Sequence, residues 1–233
     1  MNFAIIAAGE GSRLHSEGIQ VSKPMVKING VPMIERLLDM AMRNSATSIS
    51  CIVNEESEEL KKYLERQNFG IPFNLVVKST PSSLHSLYAL KNYLNEDYFC
   101  LTTVDTIFKE DEFIRYISYC EANKENRDGI LAVTEFIDDE KPLCVSVNEE
   151  MIIQSFDDEL TDQKFVTGGI YFFSPKVFEV MDDAINSGMS RLRNFQRLLL
   201  KQDFKLEAFP FNKIVDVDHV SDIEKAEKFL AGL

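Results

Sequence analysis

The order of apolar segments predicts an α/β protein of three layers, with helices on both faces of a mostly parallel, mixed sheet. Three observations predict it. Strand-like runs alternate with amphipathic helical patterns from residue 3 to about residue 136, the order that favours parallel strands joined by helical crossovers. From about residue 142 the strands shorten and turns separate them, which predicts a small antiparallel excursion. No repeat, low-complexity tract or linker interrupts the chain, so residues 1–233 are expected to form one domain.

The elements follow in order. Phe3-Ala4-Ile5-Ile6 is an apolar strand that runs into Ala7-Ala8-Gly9-Glu10-Gly11-Ser12-Arg13-Leu14. Lys27 to Gly30 reads as a short strand ending in a turn. Pro32 then stands at the start of a helix, where its missing N–H costs nothing. Met33, Ile34, Leu37, Leu38, Met40 and Ala41 form that helix's apolar face. Ser50–Val53 reads as a strand, Glu55–Arg66 as a charged helix with Leu60 and Leu64 inward, and Phe73–Val77 as the next strand. Ser83–Leu94 is a leucine-faced helix with Ser82 or Ser83 available as N-cap. The strongest strand, Tyr98 to Val104, ends at Asp105. Helix 110–123 and strand 129–136 follow, then short strands at 145–147, 152–156 and 170–173. Helices at about 176–186 and 190–201, a strand at 206–210 and a final helix from about 220 close the chain.

Composition excludes several classes of function. Hydrophobic residues make up 45% of the chain, enough for one sizeable core, and the net charge is −13. That charge argues against nucleic acid, whose binding needs clustered Lys and Arg. The four cysteines, Cys51, Cys100, Cys120 and Cys144, have no paired spacing and read as reduced core thiols of a cytoplasmic protein. Met1 to Ala8 is too short for a signal peptide. No apolar run approaches the roughly 20 residues of a membrane span.

Five stretches offer chemistry. A two-glycine loop after a buried strand lets backbone N–H groups approach an anion, with Arg13 and Lys23 adding charge; an ordinary strand-to-loop turn is the alternative. Leu14 stands where a dinucleotide fingerprint needs its third glycine. No G-K-[ST] Walker sequence is present either. Asp105, at a strand's carboxyl end, could hold Mg²⁺ or simply cap a turn. Asp216 and Asp218 alternate along an extended segment and so share a face. One could complete a metal site, or Asp218 or Ser221 could cap the last helix, whose first turn holds Asp222. Ser79 to Ser86, with His85, could hold a base edge or phosphate, or form a well-capped helix start. Thr167-Gly168-Gly169-Ile170-Tyr171 suggests a close ligand approach or a bulge.

Order and spacing together resemble the nucleotidyltransferase superfamily of sugar-1-phosphate, choline-phosphate and MobA-like enzymes. Its opening A-A-G-x-G-x-R-[LM] is similar to Ala7 to Leu14, and its P-K-P-[ML] to Ser22-Lys23-Pro24-Met25, with Ser22 replacing the usual proline. Its closing V-D-x-x-x-D-[LI] resembles Val217 to Ile223, and its T-G-[GI]-[IY] strand resembles Thr167 to Tyr171. The resemblance implies a Rossmann-like nucleotide-diphospho-sugar transferase fold, with residues 1–135 holding the nucleotide and 136–233 the acceptor and the C-terminal helix. It implies transfer of a nucleoside monophosphate, CTP favoured, to a choline-phosphate-like or sugar phosphate, with release of pyrophosphate. By this resemblance Arg13 and Lys23 are catalytic, and Mg²⁺ is held by Asp105 and Asp218, with Asp216 competing. Ala7, Ala8, Gly9, Glu10, Gly11, Ser12, Ser82, Ser83 and Ser86 would bind the nucleotide. Thr167, Gly168, Gly169 and Tyr171 would bind the acceptor. Only Lys141-Pro142 is available as the family's second K-P pair, and it precedes the short strands where the family's pair follows them. The compact length is more like the choline-phosphate or MobA-like members. The competing reading is a non-catalytic nucleotide- or sugar-nucleotide-binding module of the same fold. A dinucleotide oxidoreductase is disfavoured by Leu14 and by the absence of a suitably placed acid.

Overall fold

In the first strand apolar side chains alternate between two faces that are both covered. Phe3, Ile5 and Ala7 join one hydrophobic cluster, while Ala4, Ile6 and Ala8 join the other. The computed structural model describes residues 1–138, 141–161 and 163–232. In chain order it runs β1 (Asn2–Ala7), α1 (Ser12–Ser16), the hairpin β2 (Lys27–Ile28) and β3 (Val31–Pro32), α2 (Met33–Arg43), β4 (Ser48–Val53), α3 (Glu58–Glu65), β5 (Phe73–Val77), α4 (Ser83–Leu94), β6 (Phe99–Thr103) and β7 (Thr106–Ile107). Then come α5 (Glu110–Asn123), β8 (Gly129–Thr134), β9 (Cys144–Val147), β10 (Ile153–Asp157) and β11 (Phe165–Phe173). The chain continues through α6 (Val177–Asn186), α7 (Leu192–Lys201), β12 (Leu206–Phe211), β13 (Val215–Asp216) and α8 (Val220–Ala231).

Nine of these strands form one mixed sheet, ordered β10-β9-β11-β6-β1-β4-β5, with β8 on β11 and β12 on β8. The block β6-β1-β4-β5 is parallel, as is β12 on β8. Helices α2, α3, α5 and α8 cover one face, and α4, α6 and α7 the other. All six apolar positions expected to face inward from α2 are buried. Each of the five larger side chains, all but Ala41, contributes roughly 1.5–3 kcal/mol before entropy is counted. The three-layer, mostly parallel architecture therefore stands as the sequence predicts.

Three local expectations need correction, and one pairing was not foreseen. Helix α3 starts at Glu58, not Glu55, because Asn54 Oδ1 accepts the Glu56 N–H at 2.9 Å and bends the chain into a turn first. Ser82 occupies the N-cap position of α4, yet its hydroxyl does not cap the helix. It accepts the N–H of Arg191 at 3.0 Å, and Ser83 Oγ accepts that of Leu192 at 3.2 Å. The third short strand is part of nine-residue β11, which lies antiparallel between β6 and β8. The antiparallel portion is therefore built into the middle of the sheet. Finally, β7 and β13 pair with each other as a separate two-stranded ribbon that two-residue strands cannot signal in sequence.

The four cysteines are free and buried. Burial pushes the Cys51 thiol up to about 12, so it stays protonated and behaves as a small apolar residue. Among the described residues no helix is long and apolar enough to cross a membrane.

Candidate active site

Because β1, β4, β5 and β6 are parallel, the loops leaving them emerge at one edge, where open α/β sheets bind ligands. Gly9 to Ser12 follow β1, Asn54 and Glu56 follow β4, Ser79 to Ser83 follow β5, and Asp105 follows β6. Together they line a cavity of about 690 Å³. Gly11 holds φ at 63°, and a Cβ there would lie 2.8 Å from Lys23 Cβ. That position requires glycine for its left-handed backbone and for the lysine running beneath it.

Lys23 is only 8% exposed. Its Nζ donates to Asp105 Oδ2 at 2.5 Å and to Asp218 Oδ1 at 2.6 Å, while Arg13 Nη1 donates to Asp218 Oδ2 at 2.8 Å. Burial opposes the charge on Lys23, but the two carboxylates outweigh it and hold the ammonium protonated well above its ordinary range. Burial likewise opposes ionisation of Asp105, and Lys23 outweighs it, so that carboxyl lies below its ordinary value. The Arg13–Asp218 pair is half-exposed and contributes at most about 1 kcal/mol to folding. Stability does not account for it.

The ribbon β7–β13 brings the acids together: Asp216 pairs with Thr106, and Val217 N donates to Asp105 O at 3.0 Å. Val215 and Val217 are buried while Asp216 and Asp218 face outward, as the alternation predicts. Asp222 fixes the next turn. Its Oδ2 accepts the N–H groups of Asp218 and His219 at 3.1 and 2.8 Å, closing a capping box on α8. Glu17 ties α1 to the same helix, with Oε1 on His219 Nδ1 at 2.5 Å and Oε2 on Val220 N at 2.6 Å. Those bonds hold the Glu17 carboxyl below its usual range. Asp222 thus serves the helix cap, and Asp218 is left to face the two cations.

A second cavity of about 370 Å³ lies beside the first and includes Thr167, Gly168, Gly169 and Tyr171. The paired glycines form a bulge in which Gly168, Gly169 and Ile170 stand opposite the single Ala132 of β8. Gly169 holds φ at 71°, and a Cβ there would meet Thr106 Oγ1 at 2.4 Å. Gly169→Ala is therefore expected to cost about 2–3 kcal/mol and to lower Tm by roughly 5–10 °C in a thermal melt. An unchanged Tm would show that the bulge is not clamped.

Of the residues singled out from sequence, Ala8, Gly9, Glu10, Gly11, Ser12, Ser82, Ser83 and Ser86 line the first cavity, and the four acceptor-side residues line the second. Ala7 does not: it is the last residue of β1 and packs in the core beneath the loop. Ser86 is 2% exposed, its hydroxyl 2.6 Å from Thr80 Oγ1. Arg13, Asp105 and Asp218 line both cavities, and Asp216 only the second. Sequence reading missed Thr103, Arg193 and Lys225, which also line the second cavity. Thr103 sits in a strand pattern and the other two in helix patterns, so none carries a local signal.

The fold and site define a class: an α/β protein whose glycine-rich loop and two cations stand where two cavities meet over paired carboxylates. The chain belongs to the nucleotidyl transferase family, whose model matches residues 4–232. It is 27% identical over 189 residues to the bifunctional protein GlmU of Methanococcus maripaludis, covering 80% of this chain and 43% of that protein. It is 26% identical to the D-glycero-alpha-D-manno-heptose 1-phosphate guanylyltransferase of Campylobacter jejuni, with 89% of each chain covered. The chain spans about half the length of the GlmU relatives it matches. A crystal structure of a putative glucose-1-phosphate thymidylyltransferase from Bacillus anthracis superposes with a TM-score of 0.85 at 18% identity, covering 100% of this chain and 96% of that one.

Proposed function

We propose that the protein transfers a nucleoside monophosphate from a nucleoside triphosphate to a phosphorylated small molecule of the sugar-phosphate class, releasing pyrophosphate. One observation carries the reading: Arg13, Asp105 and Asp218 line both cavities, and Lys23 Nζ bridges the two carboxylates at their junction. Residues 1–135 supply nearly all of the first cavity, which on this reading holds the nucleotide. In the reaction an acceptor phosphate oxygen forms a bond to the α-phosphorus, and the bond from that phosphorus to the bridging oxygen of the β-phosphate breaks. Pyrophosphate leaves with that electron pair.

Two anions must approach each other, so the protein's task is charge neutralisation and in-line positioning. Backbone N–H groups of Gly9 to Ser12 hold the β- and γ-phosphates. The Arg13 fork binds the leaving pyrophosphate. Lys23 sits as a point charge between the α-phosphate and the incoming phosphate.

Among the described residues no group of three metal-ligating side chains is present. Asp105 and Asp218 nevertheless converge on one cation, the Lys23 ammonium. Two hard carboxylates beside a phosphate site fit Mg²⁺, which often takes only one or two carboxylates plus phosphates. When bound there it would neutralise phosphate charge and align the reactants. Asp105 and Asp218 would hold it, while Asp216 faces the acceptor.

The donor we expect is CTP, as the family resemblance and compact length imply, and the compartment we expect is the cytoplasm, given four buried free thiols. The test is pyrophosphate release with Mg²⁺ over four nucleoside triphosphates, crossed with glucose 1-phosphate, other sugar phosphates and choline phosphate. Release that requires both substrates supports the reading. Silence across the panel with nucleotide still bound would establish the binding-module alternative instead.

No general base is needed, which fixes the pH profile. Lys23 has a raised pKa and stays charged above its ordinary range, and Asp105 has a lowered one and stays ionised below its own. Neither titrates between about pH 5 and 9. We expect kcat/KM to rise only with the second ionisation of the acceptor phosphate, near pH 6, and then to stay flat to about pH 9. The stability that ionised Asp105 contributes is complete above the ordinary carboxylate pKa and is lost only as pH falls through its lower folded value. An alkaline limb below pH 9 that a side-chain substitution abolishes would reveal a general base.

A further inference from the structure

A third cavity, of about 260 Å³, joins the other two and is lined by Ser83, Thr103, Thr167, Tyr171, Arg193 and Gln196 among others. Gln196 is 1% exposed. Neither Oε1 nor Nε2 of its amide meets a hydrogen-bond partner among the described residues. An amide buried with both ends unpaired is unfavourable to folding, so a residue chosen for packing alone would be apolar here. Leu192, Phe195 and Leu199 of the same helix are apolar and fill the core.

The surroundings restrict what Gln196 can meet. Burial pushes the neighbouring Tyr171 hydroxyl up to about 12, so it remains a neutral donor. Two guanidinium-bearing residues, Arg191 and Arg193, line this cavity, and no carboxylate among the described residues does. Arg193 is held from outside, by Asp158 Oδ1 at 3.2 Å and the carbonyl of Lys141 at 2.9 Å. A quaternary ammonium group has neither an N–H nor a lone pair. It would leave both amide atoms unpaired and set a cation beside two others.

We propose that Gln196 is a specificity-determining residue that reads hydroxyl groups of the acceptor, Oε1 accepting from one and Nε2 donating to another. The acceptor class is then a polyhydroxylated phosphate ester, a sugar or cyclitol phosphate, and not the phosphate of a quaternary amino alcohol. This assignment rests on the nucleotidyl-transfer reading of the site. A site built to hydrogen-bond a substrate hydroxyl discriminates steeply against analogues that lack it.

The experiment measures kcat and KM for wild type and Gln196→Leu with glucose 1-phosphate, its singly deoxygenated analogues, inositol 1-phosphate and choline phosphate. In wild type, the best sugar or cyclitol phosphate should exceed choline phosphate by at least about 10²-fold in kcat/KM. Gln196→Leu should lower kcat/KM for that acceptor roughly 10- to 100-fold, and far less for the analogue missing the hydroxyl it reads. Its Tm should hold or rise, because an unpaired buried amide is removed. A double-substitution comparison that shows no coupling, or a wild-type preference for choline phosphate, overturns the assignment while nucleotidyl transfer stands. Absence of pyrophosphate with every acceptor overturns both. If Gln196→Leu fails to fold, Gln196→Met is measured in its place under the same criteria.

Discussion

Lys23→Ala is expected to lower kcat on the order of 10²-fold or more, by analogy with other preorganised electrostatic groups. The ammonium is the only cation within reach of both Asp105 and Asp218 among the described residues, at 2.5 and 2.6 Å. Removing it leaves the Asp105 and Asp218 carboxylates without the cation they share. That adds a stability cost of about 1–3 kcal/mol, so activity must be compared well below the variant's Tm. Lys23→Arg keeps the charge but replaces a compact point charge with a planar fork, and should recover only part of the rate. If Lys23→Ala turned over within a few-fold of wild type, the role assigned to this lysine would be wrong.

Asp218→Asn should reduce kcat/KM by on the order of 10²-fold, whereas Asp216→Asn should stay within about tenfold. Both oxygens of Asp218 accept from cations, Lys23 at Oδ1 and Arg13 at Oδ2. An amide keeps one acceptor and turns an N–H toward the other cation, so the pair loses both charge balance and aim. Asp218→Asn should also raise the Mg²⁺ concentration needed for half-maximal rate. Asp216 lines only the second cavity, so under the proposed reaction its loss should appear in the acceptor KM. Equal effects of the two substitutions would return Asp216 to the metal site.

Much of this arrangement was readable beforehand, where the physics is local. The 3–4 spacing of Leu84, Leu87, Leu90 and Leu94 sets α4 at Ser83–Leu94, and the Phe73–Val77 strand matches its expected bounds. The glycine loop, Lys23, Asp105 and Asp218 are each ambiguous alone and stand out only by their order and spacing together, through the family resemblance. What stayed hidden depends on tertiary placement. Ser82 looks like a helix cap until Arg191 N, more than a hundred residues away, takes its hydroxyl. β11 looks shorter than it is because its two glycines interrupt the strand signal where the bulge lies. Arg193 and Gln196 share a cavity with Thr167 and Tyr171 of β11 only through tertiary packing, which no spacing within α7 encodes. Glu17, an unremarkable acid in sequence, proves to bind α1 to the start of α8.

The central claim is that the α-phosphate and the acceptor phosphate meet at the junction of Arg13, Lys23, Asp105 and Asp218. The most direct test incubates the protein with Mg²⁺, an α-³²P-labelled nucleoside triphosphate and a sugar phosphate, and follows the label together with pyrophosphate. The account predicts label in a nucleoside-diphosphate ester of the acceptor, formed one for one with pyrophosphate and abolished when the acceptor is omitted. Label that remains in bound, unreacted nucleotide, or that appears as free monophosphate regardless of acceptor, would contradict it.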